Sequence, residues 1–342
     1  MNRYLIYSDL HWSKNSSLIV DRGEKYSKRL ENCIKSMNWV YDLAYKFHCD
    51  AVISCGDFFD RPNLNSEEIS ALGELNNYGL KEWFLIGNHE ASNLDLSFSS
   101  TNVFTDQRII KELTKLEINN YIDFYFIPYI QTTKSLDLKD YIERNNKKKI
   151  IFSHNDLAGI SYQKGLISNT GFDIESIYNN CTLFLNGHLH NKFIQNNVFN
   201  LGNLTGKNLN EDCLKYNHCA YLLTVDNDKI SIEEIENPHA YNFLTYSILK
   251  LEELDNIKNI NNLVLSLKCP QNLLNDARLL LDNFQNVETY KIIVDVLDIM
   301  NKKLKLNKTS IVDYNKEFIK FAKEKLGESE ILDSELSLLI GG

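Results

Sequence analysis

The stretch Asp50–Pro62, Asp-Ala-Val-Ile-Ser-Cys-Gly-Asp-Phe-Phe-Asp-Arg-Pro, joins an apolar run, Ala51–Cys55, to Gly56-Asp57 and a further carboxylate, Asp60. The run reads as a buried strand. A carboxylate at the end of a buried strand is costly unless something pairs with it. Four other places repeat the pattern of a short apolar run ending in Asp, Asn or His. Tyr4–Ser8 leads into Asp9-Leu10-His11, Trp83–Ile86 into Gly87-Asn88-His89-Glu90, Ile150–Phe152 into Ser153-His154-Asn155, and Thr182–Leu185 into Asn186-Gly187-His188-Leu189-His190. Parallel neighbouring strands would gather these ends at one sheet edge, where open α/β folds place their ligand sites.

Spacing agrees with convergence. Asp9 and His11 lie two apart, as do His188 and His190, and in extended chain such pairs point to one side. The set Asp9, His11, Asp57, Asn88, His154, His188 and His190 offers imidazole and oxygen ligands without a thiolate. It exceeds what one four-coordinate ion needs, and Asp57, central in order, can bridge two. A two-metal site is the reading these residues support. Cys55, next to Asp57, reads as strand core rather than ligand.

At these residues the chain resembles the calcineurin-like metallophosphoesterase superfamily, whose signature runs D-x-H, G-D-x-x-D, G-N-H-[DE], a lone His and G-H-x-H. All five blocks occur in order over Tyr4–His190, and ordered blocks at strand ends are far more specific than any one of them. The resemblance implies a four-layer α-β-β-α sandwich of α/β class. It implies one ion on Asp9, His11, Asp57 and His190 and a second on Asp57, Asn88, His154 and His188. His89 would act on the leaving oxygen, with Asp60 orienting it. Two divalent ions are implied, Mn²⁺ by family, with Mg²⁺ and Fe²⁺ as alternatives.

The 342 residues exceed one typical domain. We expect a catalytic domain over 1–240, a small α+β capping domain over 241–300, to which the second resemblance given below assigns DNA recognition, and a linker with C-terminal helices over 301–342. In the last segment Ile311, Tyr314, Phe318, Phe321 and Leu326 form an apolar stripe, suited either to the chain's own domain or to a partner. This order resembles the nuclease subunit of the Mre11/SbcD group, which implies DNA as substrate, a Rad50/SbcC-type SMC-like ATPase as partner, and a homodimer paired through helices expected at Glu67–Asn76 and Asp106–Leu116. The resemblance is specific over the first 200 residues and architectural beyond about Asn237. The competing resemblance is to phosphoprotein phosphatases, through Gly-Asp-Phe-Phe-Asp-Arg and Gly-Asn-His-Glu. Against it, Asp9-Leu10-His11 runs into Trp12-Ser13 where those enzymes place Gly, and only Arg61 and Arg108 are near enough to clamp a terminal phosphate. A non-catalytic assembly protein would not need intact metal blocks.

Composition sets bounds. A net charge of −9 leaves little basic excess for gripping DNA, so the metals and a partner would have to supply that grip. Seven cysteines without C-x-x-C spacing, and no leader-like or membrane-length apolar stretch, lead us to expect a reducing cytoplasm and no membrane partner. Elsewhere we expect a helix over Glu24–Phe47, a polar helical stretch over Lys139–Asn146, a loop over Asn155–Asp173, and strands over Val198–Leu201, Tyr221–Val225 and Lys229–Ile235. The capping domain should have strands Phe243–Leu249, Leu263–Leu267 and Tyr290–Val296 and a helix Leu273–Phe284. Gly202–Gly206 reads as a hairpin connection or a phosphate contact.

Overall fold

The computed structural model describes residues 1–294 apart from 17, 92–97, 105–107, 161–166 and 212. The elements expected over 301–342 lie outside the described residues. Along the chain run β1 (Asn2–Tyr7), α1 (Lys28–Lys46), β2 (Ala51–Ser54), α2 (Ser66–Leu72), β3 (Glu82–Leu85), β4 (Arg108–Ile110), β5 (Thr114–Glu117) and β6 (Ile122–Ile127). There follow β7 (Ser135–Leu136), β8 (Lys148–Ser153), β9 (Leu157–Ala158), β10 (Gly171–Asp173), α3 (Ile174–Asn180), β11 (Leu183–Asn186), β12 (Phe193–Gln195) and β13 (Val198–Asn200). Then come β14 (Cys219–Asp226), β15 (Lys229–Glu236), β16 (Asn242–Ser247), β17 (Leu263–Cys269), α4 (Leu274–Asp282) and β18 (Val287–Val294).

Two six-stranded sheets carry the fold, in the orders β15-β14-β1-β2-β3-β4 and β12-β13-β11-β8-β6-β5. In the first, β1 to β4 run parallel, with β14 and β15 antiparallel at one side. In the second, β13, β11, β8 and β6 are parallel between antiparallel edge strands. The period-2 alternation of strands sorts the side chains. Tyr4, Ile6, Ala51, Ile53 and Leu85 meet Phe124, Phe126, Ile150 and Phe152 between the sheets. Leu5, Tyr7, Val52 and Phe84 instead pack under Leu30, Met37, Val40 and Tyr41 of α1. On the far side, Tyr125, Ile127, Ile151 and Phe184 pack on Ile174 and Ile177 of α3. This is the α-β-β-α sandwich. Both faces of each central strand are buried, which is why these strands read as continuous apolar runs.

A smaller parallel sheet, β16-β17-β18, covers its own core of Leu244, Leu265, Leu267, Ala277 and Leu281. It joins the sandwich through Tyr241, Phe243 and Val264, which pack on Ile19, Leu18 and Leu209.

Several expectations are corrected. The helix over Asp106–Leu116 is not formed. Arg108–Ile110 extends the first sheet beside β3, and Thr114–Glu117 pairs with β6. Its apolar spacing fits a helix, but two open sheet edges and the buried Ile110 decide for strand. The homodimer face drawn from that helix therefore retains α2 alone. The stretch Lys139–Asn146 holds only a 3-10 turn, Leu138–Asp140, since so short and polar a segment cannot sustain an isolated helix. Helix α1 begins at Lys28 rather than Glu24, because Ser27 caps it by accepting from the Leu30 amide at 3.2 Å. Helix α2 ends at Leu72 rather than Asn76 and is capped by Asn65, in a capping box with Glu68. The loop expected over Asn155–Asp173 contains β9 and β10, and α3 follows it, capped by Asp173.

Glu82, at the start of β3, is 4% exposed and its Oε1 has no hydrogen-bond partner. Burial pushes its pKa from 4.5 up to about 7. Between these values the unfolded chain has lost the proton that the native one keeps. Stability should therefore fall as pH rises through that window, by roughly 3 kcal/mol from this group. Glu82→Gln should remove that fall, so that the variant gains on wild type between pH 4.5 and pH 8 in urea unfolding; parallel pH curves would refute this.

Candidate metal centre

All seven proposed ligands sit just beyond the carboxyl ends of parallel strands: Asp9 and His11 after β1, Asp57 after β2, Asn88 after β3, His154 after β8, His188 and His190 after β11. The two sheets thus deliver ligands from both sides of the seam. Donor atoms of Asp9, His11 and His190 lie within 4.8 Å of one another, as do those of Asp57, His154 and His188, and those of His11, Asp57 and His89. Asn88 completes the second group, its Oδ1 3.0 Å from His188 Nδ1 and 3.3 Å from His154 Nε2. Asp57 Oδ2 stands between the groups, 3.2 Å from His154 Nε2 and 3.9 Å from both His11 Nε2 and His89 Nε2.

The local backbone is bent to achieve this. Asp9, His11, Asp57 and His188 all adopt left-handed conformations, with φ of 52°, 50°, 51° and 74°. Such geometry costs non-glycine residues about 1–3 kcal/mol each and gathers at functional sites. Close approach also explains two motif glycines. A Cβ on Gly56 would lie 2.3 Å from His154 Nδ1, and one on Gly87 would lie 2.1 Å from Asp57 Oδ1.

Each imidazole is held from behind. His11 Nδ1 faces Asp60 Oδ1 at 3.2 Å, His190 Nδ1 faces Glu211 Oε1 at 3.1 Å, and His188 Nε2 faces Asp156 Oδ1 at 3.2 Å. His154 Nδ1 donates to the Cys55 carbonyl at 2.7 Å, and His89 Nδ1 to the Asp60 carbonyl at 2.8 Å. Partners of this kind fix the tautomer, leaving the opposite nitrogen to present a lone pair. Asp60 thus meets His89 through its backbone. Its carboxylate lies 4.0 Å from His89 Nδ1, turned instead to His11 and to Lys207, 2.7 Å away.

The residues fit cations. His11 Nε2 and His190 Nε2 approach to 2.9 Å, close enough for one cation or proton to lie between them, while His11 Nδ1 sits between the Asp60 carboxylate at 3.2 Å and the Lys207 ammonium at 3.0 Å. Asp9 is fully buried, and its Oδ1 has no hydrogen-bond partner. Burial, with the Lys207 charge, pushes His11 well below its usual pKa and keeps it a neutral donor. Burial would also lower His154, but the Asp57 and Asp9 carboxylates hold it up to about 10. The rise at His154 is the mark of unscreened negative charge in a buried cluster.

Other supporting residues escaped the sequence reading. Glu90, fully buried, accepts from the amides of Phe58 (2.6 Å), Phe59 (3.2 Å) and Gly87 (2.7 Å), tying the Asp57 loop to the Asn88 loop. Burial and the nearby Asp57 charge push it up to about 7. Asn186 Nδ2 donates to the Asn155 carbonyl and to Asn200 Oδ1, and Asn200 Nδ2 to the carbonyls of Leu189 and Asn191. This ladder ties together the loops carrying His154, His188 and His190. Glu90 belongs to the fourth place of Gly-Asn-His-Glu and Asp156 follows His154 by two, so both had a positional signal; Glu211 and Lys207 had none. The Gly202–Gly206 segment is no open phosphate contact. Leu204 and Thr205 are fully buried, and Thr205 Oγ1 bonds Asn32 at 2.7 Å.

Asp60→Asn and Glu211→Gln should each weaken metal binding by about 10- to 100-fold with the fold intact. Titration calorimetry with Mn²⁺ checks this, and unchanged affinity in both variants would remove the supporting role.

Residues 3–192, more than half of the chain, match the family model for calcineurin-like phosphoesterases. No curated protein matches significantly. Solved structures similar to the chain include a dimetal phosphatase from Danio rerio, at 11% identity and TM-score 0.44 over 69% of this chain and 96% of that one. The phosphoesterase Yfce from E. coli is similar at 12% identity and TM-score 0.35, over 69% and 99%. Purple acid phosphatase PPD1 from yellow lupin seeds is similar at 10% identity and TM-score 0.44, over 87% and 55%. On the family match, which takes in every strand end that carries a candidate ligand, the chain belongs to the calcineurin-like phosphoesterases.

Proposed function

We propose that this phosphoesterase is a DNA-processing phosphodiesterase of the nuclease-subunit kind, working on DNA ends with an SMC-like ATPase and as a homodimer. The observation that carries the choice of diester over monoester concerns arginine. Arg61 Nη2 grips Glu68 Oε1 and Oε2 at 2.6 and 2.7 Å, and Arg61 Nε donates to Asn63 O. Arg29, also near His11, is buried and spends its guanidinium on the carbonyls of Leu10 and Gly206. Neither is available to clamp a dianionic terminal phosphate in the bidentate way that favours arginine; the Arg108 side chain lies outside the described residues. A diester carries one charge fewer and needs no such clamp.

Two divalent ions on this ligand set would lower the pKa of a water and neutralise the nonbridging phosphate oxygens during in-line attack. The chain's own residues do the rest. Asp9, His11 and His190 hold one side of the seam, Asn88, His154 and His188 the other, and the Asp57 carboxylate faces both. His89 gives Nδ1–H to the Asp60 carbonyl and turns Nε2 toward the same centre. Only as the imidazolium, with hydrogen on both ring nitrogens, would it be placed to pass the Nε2 proton to the departing sugar oxygen. Among the described residues no helix is long and apolar enough to cross a membrane.

Mn²⁺-dependent hydrolysis of linear DNA and of a phosphopeptide, by wild type and His89→Ala, tests the proposal. We expect cleavage of DNA, reduced about 10²- to 10⁴-fold in kcat by the substitution, with metal content unchanged. Phosphate release from the peptide alone would establish the phosphatase instead. The full-length chain should co-purify with an SMC-like ATPase, and failure to do so would remove that partner.

A further inference from the structure

We propose that Tyr129 is the base-stacking platform of the site, so that the substrate is a polynucleotide recognised partly through the face of a base next to the scissile phosphate. This deepens the DNA reading and rests on it. Tyr129 follows β6 where the chain leaves the second sheet, and three consecutive residues there are pinned. The Pro128 carbonyl accepts from Asn155 Nδ2 at 3.0 Å, the Tyr129 amide donates to Ile86 O at 3.1 Å, and the Ile130 amide donates to Asn155 Oδ1 at 2.8 Å. Asn155 adjoins His154, and Ile86 precedes Gly87-Asn88. The backbone of Tyr129 is therefore fixed to the loops that carry two of the ligands.

The ring is half-buried and lies 5.6 Å, centroid to centroid, from the His188 ring at an interplanar angle of 42°. Burial, and then the Asp156 and Asp57 charges, raise its phenol pKa, which places it in the field of the metal centre and keeps it neutral. Beside it, Ile130 and Leu189 are partly buried against the outer core. The His188 edge of the site thus sets the Tyr129 ring beside a histidine and the Asp156 carboxylate. The His11–His89 edge instead carries the Asp60–Lys207 ion pair. A tyrosine on a pinned backbone has only its two side-chain torsions left to order, and stacking is sequence-tolerant because every base has a π-face.

The alternative is that the ring only shields His188, and the test must separate the two. Wild type, Tyr129→Phe and Tyr129→Leu are compared on a single-stranded oligodeoxynucleotide and on an oligomer of the same length built from abasic tetrahydrofuran units, with Mn²⁺ affinity measured by calorimetry. We expect Tyr129→Leu to raise KM on the base-bearing strand by roughly 5- to 100-fold, with its cleavage of the abasic strand and its Mn²⁺ affinity unchanged. Tyr129→Phe should match wild type, and wild type itself should prefer the base-bearing strand. Equal loss on both strands, weakened Mn²⁺ binding in Tyr129→Leu, loss in Tyr129→Phe, or no effect in any variant would overturn the stacking role while leaving the DNA reading intact. A wild type that cleaves neither strand would overturn the DNA reading as well.

Discussion

The Asp57 carboxylate is about 1% exposed, at the seam where two parallel sheets end, and four imidazoles and two further oxygen ligands crowd around the same space. A buried negative charge with this company is tolerable only if positive charge is supplied. The rest of the structure is arranged around that requirement. Strand direction brings the ligands in, the left-handed backbone of Asp9, His11, Asp57 and His188 turns them to face one another, and glycines clear room for the closest approaches. The carboxylates of Asp60, Asp156 and Glu211 then hold the imidazoles by their outer nitrogens.

What was legible in the sequence follows from this. Residues at the ends of buried strands are marked by the abrupt change from apolar run to Asp, Asn or His, so Asp9, His11, Asp57, Asn88, His89, His154, His188 and His190 stood out. Of the supporting carboxylates Asp60 stood out as well, but Asp156 and Glu211 did not, because their pairing depends on where separate loops meet. Nothing local says that Glu211 reaches His190, or that Asp60 presents its carboxylate to His11 and only its carbonyl to His89. The same limit governs the fold. Ile109, Ile110, Leu113 and Leu116 satisfy helical spacing and strand preference alike, and only the open edges of β3 and β6 settle the matter. Helix α3 was missed because seven residues are too few to show a period.

The segment after His190 links chemistry to architecture. Glu211 accepts from the Lys207 amide at 2.8 Å and holds His190, while Lys207 reaches Asp60 behind His11. Leu209, between them, packs against Tyr241, Phe243 and Val264 of the smaller sheet. The ligands His11 and His190 are therefore supported from a strap that also anchors the second unit. This gives that unit a physical connection to the candidate metal centre.

If Asp57 faces two cations at once, anomalous diffraction from crystals grown with Mn²⁺ should show two peaks about 3.5–4 Å apart, with Asp57 Oδ2 bonded to both, Asp9, His11 and His190 around one, and Asn88, His154 and His188 around the other. A single peak, or two peaks with Asp57 bonded to only one, would contradict it.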